Sequence, residues 1–362
     1  MLGILANVHR TLFYLSKKKK KLKISLYIMF RQSRYIEGIT NFWLTKSQTF
    51  LTNPTKTIIN DFMKDPVLFI PSVLTLSVLN NQCKKNNVKV HGYNLAVSIS
   101  ILHIVAIINS NRFFYETVYS NIDIDNMIME SVNFFYKCLS LTIDIIRVNK
   151  NGNLNSKLLQ LCIEYSSKCI TQITYKHNIV STDKMKKTDL FCLEKCEKKY
   201  DEYKKMCRVK NETILECIKS TYGNVCKLGM CLGWIIGNNN ETLVMKLKEL
   251  NDNKHILHIE KIGENFGKFI KLHDDFINIE KDISGFKHTL NYVVNNGIKE
   301  SYTEMIETKT SLIEGSMKMG IDTKTNKEVI DGLMENIKNT VKDVSVDMNT
   351  SYDDVSVITN TN

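Results

Sequence analysis

The chain has 362 residues, 43% hydrophobic and 24% charged, the composition of a globular protein with a sizeable core rather than of a disordered or collagenous chain. Its formal charge of +11 is concentrated at one end: residues 1–34 carry nine basic residues and no acidic one, leaving +2 for everything else. A nearly balanced body makes no electrostatic case for nucleic-acid binding.

In chain order, residues 1–45 read as a basic arm around "SKKKKKLK". A solvated arm, a targeting signal, RNA contact, or contact of residues 17–23 with anionic lipid are the readings open to such a block. Met29 is an alternative start that would remove most of it. The lysines follow the apolar run "HRTLFYL" instead of preceding it, which is the wrong order for a secretory signal.

The three prolines are Pro54, Pro66 and Pro71, so nothing after Pro71 interrupts a helix by proline. "LFIPSVLTLSVL" (68–79) and "LAVSISILHIVAII" (95–108) have the length of buried core helices and fall short of a bilayer span. "KLLQLCIEYSSKCITQI" (157–173) has amphipathic helical spacing. Residues 176–212 form a polar insertion; apolar helices resume at 212–237 and over 241–250 and 255–282. Residues 339–362 lack sustained periodicity and read as a disordered tail. No alternating strand pattern occurs before that tail. The fold expected for 46–338 is all-α, a layered bundle with a central pair of buried helices.

Ten cysteines include no CxxC pair. They read as reduced, mostly buried thiols; Cys192 and Cys196 share a helix face but lack a second ligand pair with zinc spacing. Cys217, Cys226 and Cys231, with Trp234 and Tyr222, read as core, His255 and His258 as surface or capping groups, and His273 as a packed imidazole.

The chemistry-bearing stretch is "GKFIKLHDDFINIEKD" (267–282). On a helix, Asp274, Asn278 and Asp282 stand at i, i+4 and i+8 on one face, with Asp275 beside them. A ladder of oxygen ligands suits Mg2+ shared with phosphate oxygens; a solvated acidic face is the plainer reading.

With its flanks, "GENFGKFIKLHDDFINIEKD" resembles the second aspartate-rich motif of the trans-isoprenyl diphosphate synthases, the polyprenyl synthetase family of farnesyl- and geranylgeranyl-diphosphate-synthase-like enzymes. Gly267, Phe269, Asp274, Asp275 and Asp282 match the form G…FQxxDDxxDxxxD. "DPVLFIPSVLTLSVLNN" (65–81) looks like the family's first helix, and "GYNLAVSISILHIVAIINSN" (92–111) like the helix that ends in the first aspartate motif. "CKLGMCLGWIIG" (226–237) resembles the glycine-bearing helix before the second motif, and "NYVVNNG" (291–297) the segment after it, above all in prenyltransferases of large DNA viruses. The ordered set spans roughly 60–300. It implies an isoprenoid-synthase-like bundle around a central cavity, and an intracellular protein, in the host cytoplasm if viral.

The departures bear on activity. Where the family's first motif has aspartates, this chain has Ser110 and Asn111, with Glu116 in the third acidic position. Val67 and Ile70 stand where a lysine and an arginine would hold diphosphate. Thr221 and Tyr222 replace a later Lys-Thr pair, with Lys219 out of register. Lys271 replaces the motif's glutamine and Asn278 its third aspartate. One wall has lost formal charge, the diphosphate grip is gone, and a lysine has entered the remaining acidic helix within reach of Asp274 and Asp275.

Three readings follow. The first is a degenerate member without independent catalysis, a regulatory or scaffolding subunit that pairs with itself or with an active prenyltransferase. The second is a divergent enzyme condensing an allylic diphosphate with isopentenyl diphosphate. It would hold Mg2+ on Asp274, Asp275, Asp282 and Glu116, and line its cavity with Ser110, Asn111, Lys271 and Asn278, with Lys271 or Arg112 on the diphosphate. The third is an unrelated helical interaction protein.

Overall fold

The computed structural model describes residues 34–47, 50–87, 90–110, 112–147, 152–174, 211–238, 254–279, 282 and 290–347. All regular structure among them is helical, so the fold is all-α. The basic block 17–23, Asn111, nearly all of the polar insertion, Cys192, Cys196, the helix expected over 241–250 and residues 348–362 lie outside the described residues.

The helices are α1 (Arg34–Phe42), α2 (Asn53–Phe62), α3 (Ile70–Lys85), α4 (Tyr93–Ser110), the short α5 (Arg112–Tyr115), α6 (Asn121–Arg147), α7 (Gly152–Thr174), α8 (Asn211–Ile218), α9 (Asn224–Asn238), α10 (Lys254–Ile277), α11 (Tyr292–Asn296), α12 (Ile298–Met319) and α13 (Lys324–Asp347). A π-helical turn, Lys219–Gly223, joins α8 to α9.

Two expected boundaries move. The basic arm stops short of residue 45, because α1 docks through Ile36, Ile39 and Trp43, spaced for one helical face and buried. The Trp43 indole donates to Asn60 Oδ1 at 2.9 Å. At the other end α13 runs to Asp347, so residues 339–347 are helical rather than tail. Val329, Leu333, Met334 and Ile337 give it the apolar face that packs on the body.

The centre is built from three helices buried on nearly all faces, α3, α4 and α9, one more than the pair expected. By length and composition Pro66–Lys85 and Tyr93–Ser110 both suffice to cross a bilayer, which corrects the sequence reading; 83% of the 18-residue apolar window in each is buried inside the bundle. α9 lies between α3 and α10; α4 packs on α6, α6 on α7 and α2, and α10 on α12 and α13.

Such close apolar helices still need their polar side chains satisfied. Ser72 Oγ bonds the Ala96 carbonyl at 2.5 Å and Ser100 Oγ at 2.6 Å, pinning α3 to α4. Proximity comes from glycine. Gly229, Gly233 and Gly237 repeat every fourth residue along α9. A Cβ on Gly233 would stand 2.7 Å from the Thr75 carbonyl oxygen, and one on Gly237 2.8 Å from that of Leu79, both on α3. Gly263 and Gly267 do the same for α10. A Cβ on Gly267 would meet the backbone of Tyr222 and Gly223, within the π turn. α12 ends at Gly320, whose left-handed φ of 61° lets Ile321 N reach back to the Ser316 carbonyl at 2.9 Å.

Candidate functional site

Gly267 brings the C-terminal half of α10 against the π turn, and that contact sets the surroundings of the acidic stretch. One turn on, Lys271 is 7% exposed and lies with Nζ 5.8 Å from the centre of the Tyr222 ring. Its ammonium forms an ion pair with Asp275 Oδ1 and stands 3.8 Å from Asp274 Oδ2. The i to i+3 and i+4 spacing puts all three groups on one side of α10.

Asp275 is completely buried, and both its oxygens are engaged. Oδ1 meets Lys271, and Oδ2 accepts from the Tyr292 backbone N–H at 2.8 Å. Burial pushes its carboxyl up to about 7, against the Lys271 ammonium beside it. For Lys271, the two aspartates outweigh desolvation and raise the ammonium further. Among the charged pairs of the described residues this one is buried deepest, and its geometry holds a proton donor to a carboxylate with no water needed between them.

Asn291 fixes the segment that delivers the Tyr292 amide. Its Nδ2 donates to the Asp275 carbonyl at 2.9 Å and to Asp282 Oδ2 at 3.0 Å, and its Oδ1 caps α11 by accepting from Val294 N at 3.0 Å. Asp274 is half-buried, and its Oδ1 accepts from Asn278 Nδ2 at 2.6 Å. Helical hydrogen bonds from Asn278 N to Asp274 O and from Asp282 N to Asn278 O carry the ladder past Ile277. The succession Asp274, Asn278, Asp282 is therefore present, but each member is hydrogen-bonded within the stretch or to Asn291.

Where they are described, the positions that stand for the family's first aspartate motif hold no unpaired carboxylate. Ser110 is buried and its Oγ bonds the Ile107 carbonyl at 2.8 Å. Glu116 accepts from Arg112 Nε at 2.8 Å, while Arg112 Nη2 reaches Asp125 at 2.7 Å. The buried Arg112 guanidinium thus has two carboxylates of its own. Val67 is half-buried, Ile70 is fully buried, and Thr221 Oγ1 bonds the Cys217 carbonyl at 2.6 Å. Lys219 is exposed, 3.8 Å from Glu264.

Two imidazoles belong to this region. His103 sits edge-on to Tyr222 with ring centres 5.2 Å apart, and its Nδ1–H donates to the Leu68 carbonyl at 3.0 Å. Burial lowers His103 to about 4, and His273, fully buried with neither ring nitrogen paired, also to about 4. Burial raises the phenols of Tyr115 and Tyr222, and Asp274 is the next cause for both. His255 stacks on Trp234 and His258 bonds the Lys254 carbonyl. The seven described cysteines are all buried and unpaired.

The donor set does not fit a cluster of Mg2+ ions. Asp275 is consumed by Lys271 and Tyr292, and Glu116 by Arg112. Among the described residues no three His, Cys, Asp or Glu side chains converge as metal ligands. Sequence reasoning missed Asn291 and the Tyr292 amide as parts of the site. They lie 16 and 17 residues beyond Asp275; "NYVVNNG" (291–297) was singled out only as a segment that follows the motif, with no role for its first two residues. No family model matches the chain, and no curated protein matches it in sequence.

Proposed function

We propose that the chain is a degenerate relative of the trans-isoprenyl diphosphate synthases, an isoprenoid-synthase-like bundle without catalysis of its own that acts as a regulatory or scaffolding subunit. The observation carrying this reading is the buried Lys271–Asp275 pair. Departure of a diphosphate needs several cations held between two acidic walls. Here a covalently attached ammonium stands against the acidic stretch, Ser110 brings no charge to the first-motif positions, and Glu116 there is held by Arg112. Lys271 does structurally what a metal would do electrostatically: it neutralises Asp275. Being fixed on its own helix, it offers no open coordination position to a phosphate oxygen.

The partner on this reading is a second chain that retains catalysis. The test uses the purified full-length chain with farnesyl diphosphate, isopentenyl diphosphate and Mg2+, alone and mixed with an active prenyltransferase from the same source. The expected result is no product alone and an altered rate or product length in the mixture. Robust turnover by the chain alone overturns the reading.

A further inference from the structure

The solvent side of α6 carries an apolar display that the site above does not use. Among the described residues five large hydrophobic side chains are more than half exposed, and three of them fall within twelve residues: Val118 at 56%, Ile122 at 72% and Met129 at 59%. Ile122 and Met129 are seven residues apart, which puts them two turns and about 10 Å apart on one face of the helix. Asp125 and Asn126, both exposed, lie between them on that face, and Val118 stands in the turn that leads into it. The opposite face of α6 is already packed: Ile124, Met127, Phe134 and Phe135 are buried in the core. The outer residues are therefore apolar in addition to a complete core face.

The charge around this display is of one sign. Residues 112–136 hold Glu116, Asp123, Asp125 and Glu130 against one basic residue, Arg112, so four acidic groups less one basic leave −3. Arg112 is buried, and its guanidinium reaches both Glu116 and Asp125, which sets those two carboxylates side by side. Tyr119 donates to Asp61 Oδ2 at 3.3 Å and so brings a further carboxylate, one that pairs with Lys64, beside the turn.

An acidic rim repels anionic lipid and nucleic acid. A second copy docked by the same face would set the same carboxylates against one another, a like-charge contact that costs affinity. A cationic amphipathic helix suits both features. Its apolar residues at i, i+3 or i+4, and i+7 match the separation of Ile122 and Met129, and its lysines or arginines meet the rim. We infer that the outer face of α6 around Ile122, Asp125 and Met129 is a docking surface for a basic amphipathic helix of a partner protein. The surface stands whether or not the chain turns over diphosphates.

A fluorescein-labelled peptide of about 18 residues, lysine and leucine in amphipathic helical order, is titrated with the full-length chain and followed by anisotropy. One control peptide has glutamate for lysine, and a second has the lysines and leucines in scrambled order. The ordered lysine peptide should bind at least about tenfold more tightly than either control, and about 0.5 M salt should weaken it. Ile122→Lys and Met129→Lys, both at exposed helix positions, should each lower its affinity by about tenfold or more, through lost apolar contact and added like charge. Ile122→Leu should keep the wild-type affinity, as should Met317→Lys on the exposed side of α12. No binding of the ordered peptide, or equal binding by the wild type and both α6 lysine variants, overturns the inference. A wild-type dimer in sedimentation velocity that Ile122→Lys dissociates overturns the choice of partner in favour of a second copy.

Discussion

Lys271 and Asp275, one turn apart on α10, form a buried ion pair whose carboxylate is held from its other side by the Tyr292 amide. The pair thereby ties α10 to the segment that opens α11, 17 residues further along the chain, and makes one side chain answerable for both charge balance and tertiary contact.

Breaking the pair from one side leaves a charge in the core. Lys271→Met is expected to cost about 3 kcal/mol or more in urea denaturation, because Asp275 then has no cation. The double variant Lys271→Met with Asp275→Asn should recover a substantial part of that loss. An additive double variant would show that the two residues do not interact.

Lys271→Gln tests the same pair from the side of ion binding. If the ammonium stands in for a metal, the wild-type chain should show no melting shift with millimolar Mg2+, whereas Lys271→Gln should gain one of about 1–3 °C. An equal response of both chains would remove Lys271 from that role.

Acid should destabilise the protein through its buried imidazoles. His103 and His273 are near 4 when folded against an ordinary value of 6.5. Between those limits the unfolded chain binds protons that the folded chain does not, so stability falls as pH drops through the window. Asp275 works the other way: raised to about 7 from 3.8, it keeps a proton in the folded chain that the unfolded chain has released, and its contribution falls as pH rises. Two histidines against one aspartate leave a net loss of stability as pH falls from 6.5 to 4. Asp275→Asn should steepen this dependence and His273→Leu should flatten it, both read as denaturant midpoints across pH.

The helix crossings are set by glycine, and not all glycines are equal. Gly267→Ala and Gly233→Ala drive a methyl into backbone and should each cost about 2 kcal/mol or more. Gly315, inside α12, faces the side chain of Ile262 and no backbone, with Cγ1 at 3.0 Å and Cδ1 at 3.5 Å. Gly315→Ala should be neutral or stabilising by up to about 1 kcal/mol through better helix propensity. Equal losses at all three positions would contradict the packing described for α9 and α10.

Dense apolar runs of helical length pointed to buried helices, and 70–79 falls inside α3, with Pro71 in its first turn, and 95–108 inside α4. The edges were less legible. Residues 34–45 read as the aromatic and apolar end of the basic arm because they follow its lysines, yet Ile36, Ile39 and Trp43 fall on one face and bury it. Residues 339–347 looked irregular for want of periodicity, but they extend a helix already anchored by Leu333 and Ile337.

What the sequence determined by itself was local: helical spacing, a glycine every fourth residue on α9, and a lysine one turn before two aspartates. Local spacing suffices for Lys271 to reach Asp274 and Asp275, since helix geometry alone brings i+3 and i+4 together. The tertiary structure decided which aspartate is buried, and it did so through the close approach at Gly267 and the arrival of Asn291 and Tyr292 from outside the helix. It also gave Arg112 to Glu116 and Asp125, separating those carboxylates from the acidic stretch. Such choices depend on which surfaces meet and what desolvation leaves unpaired, and no pattern confined to one helix contains them.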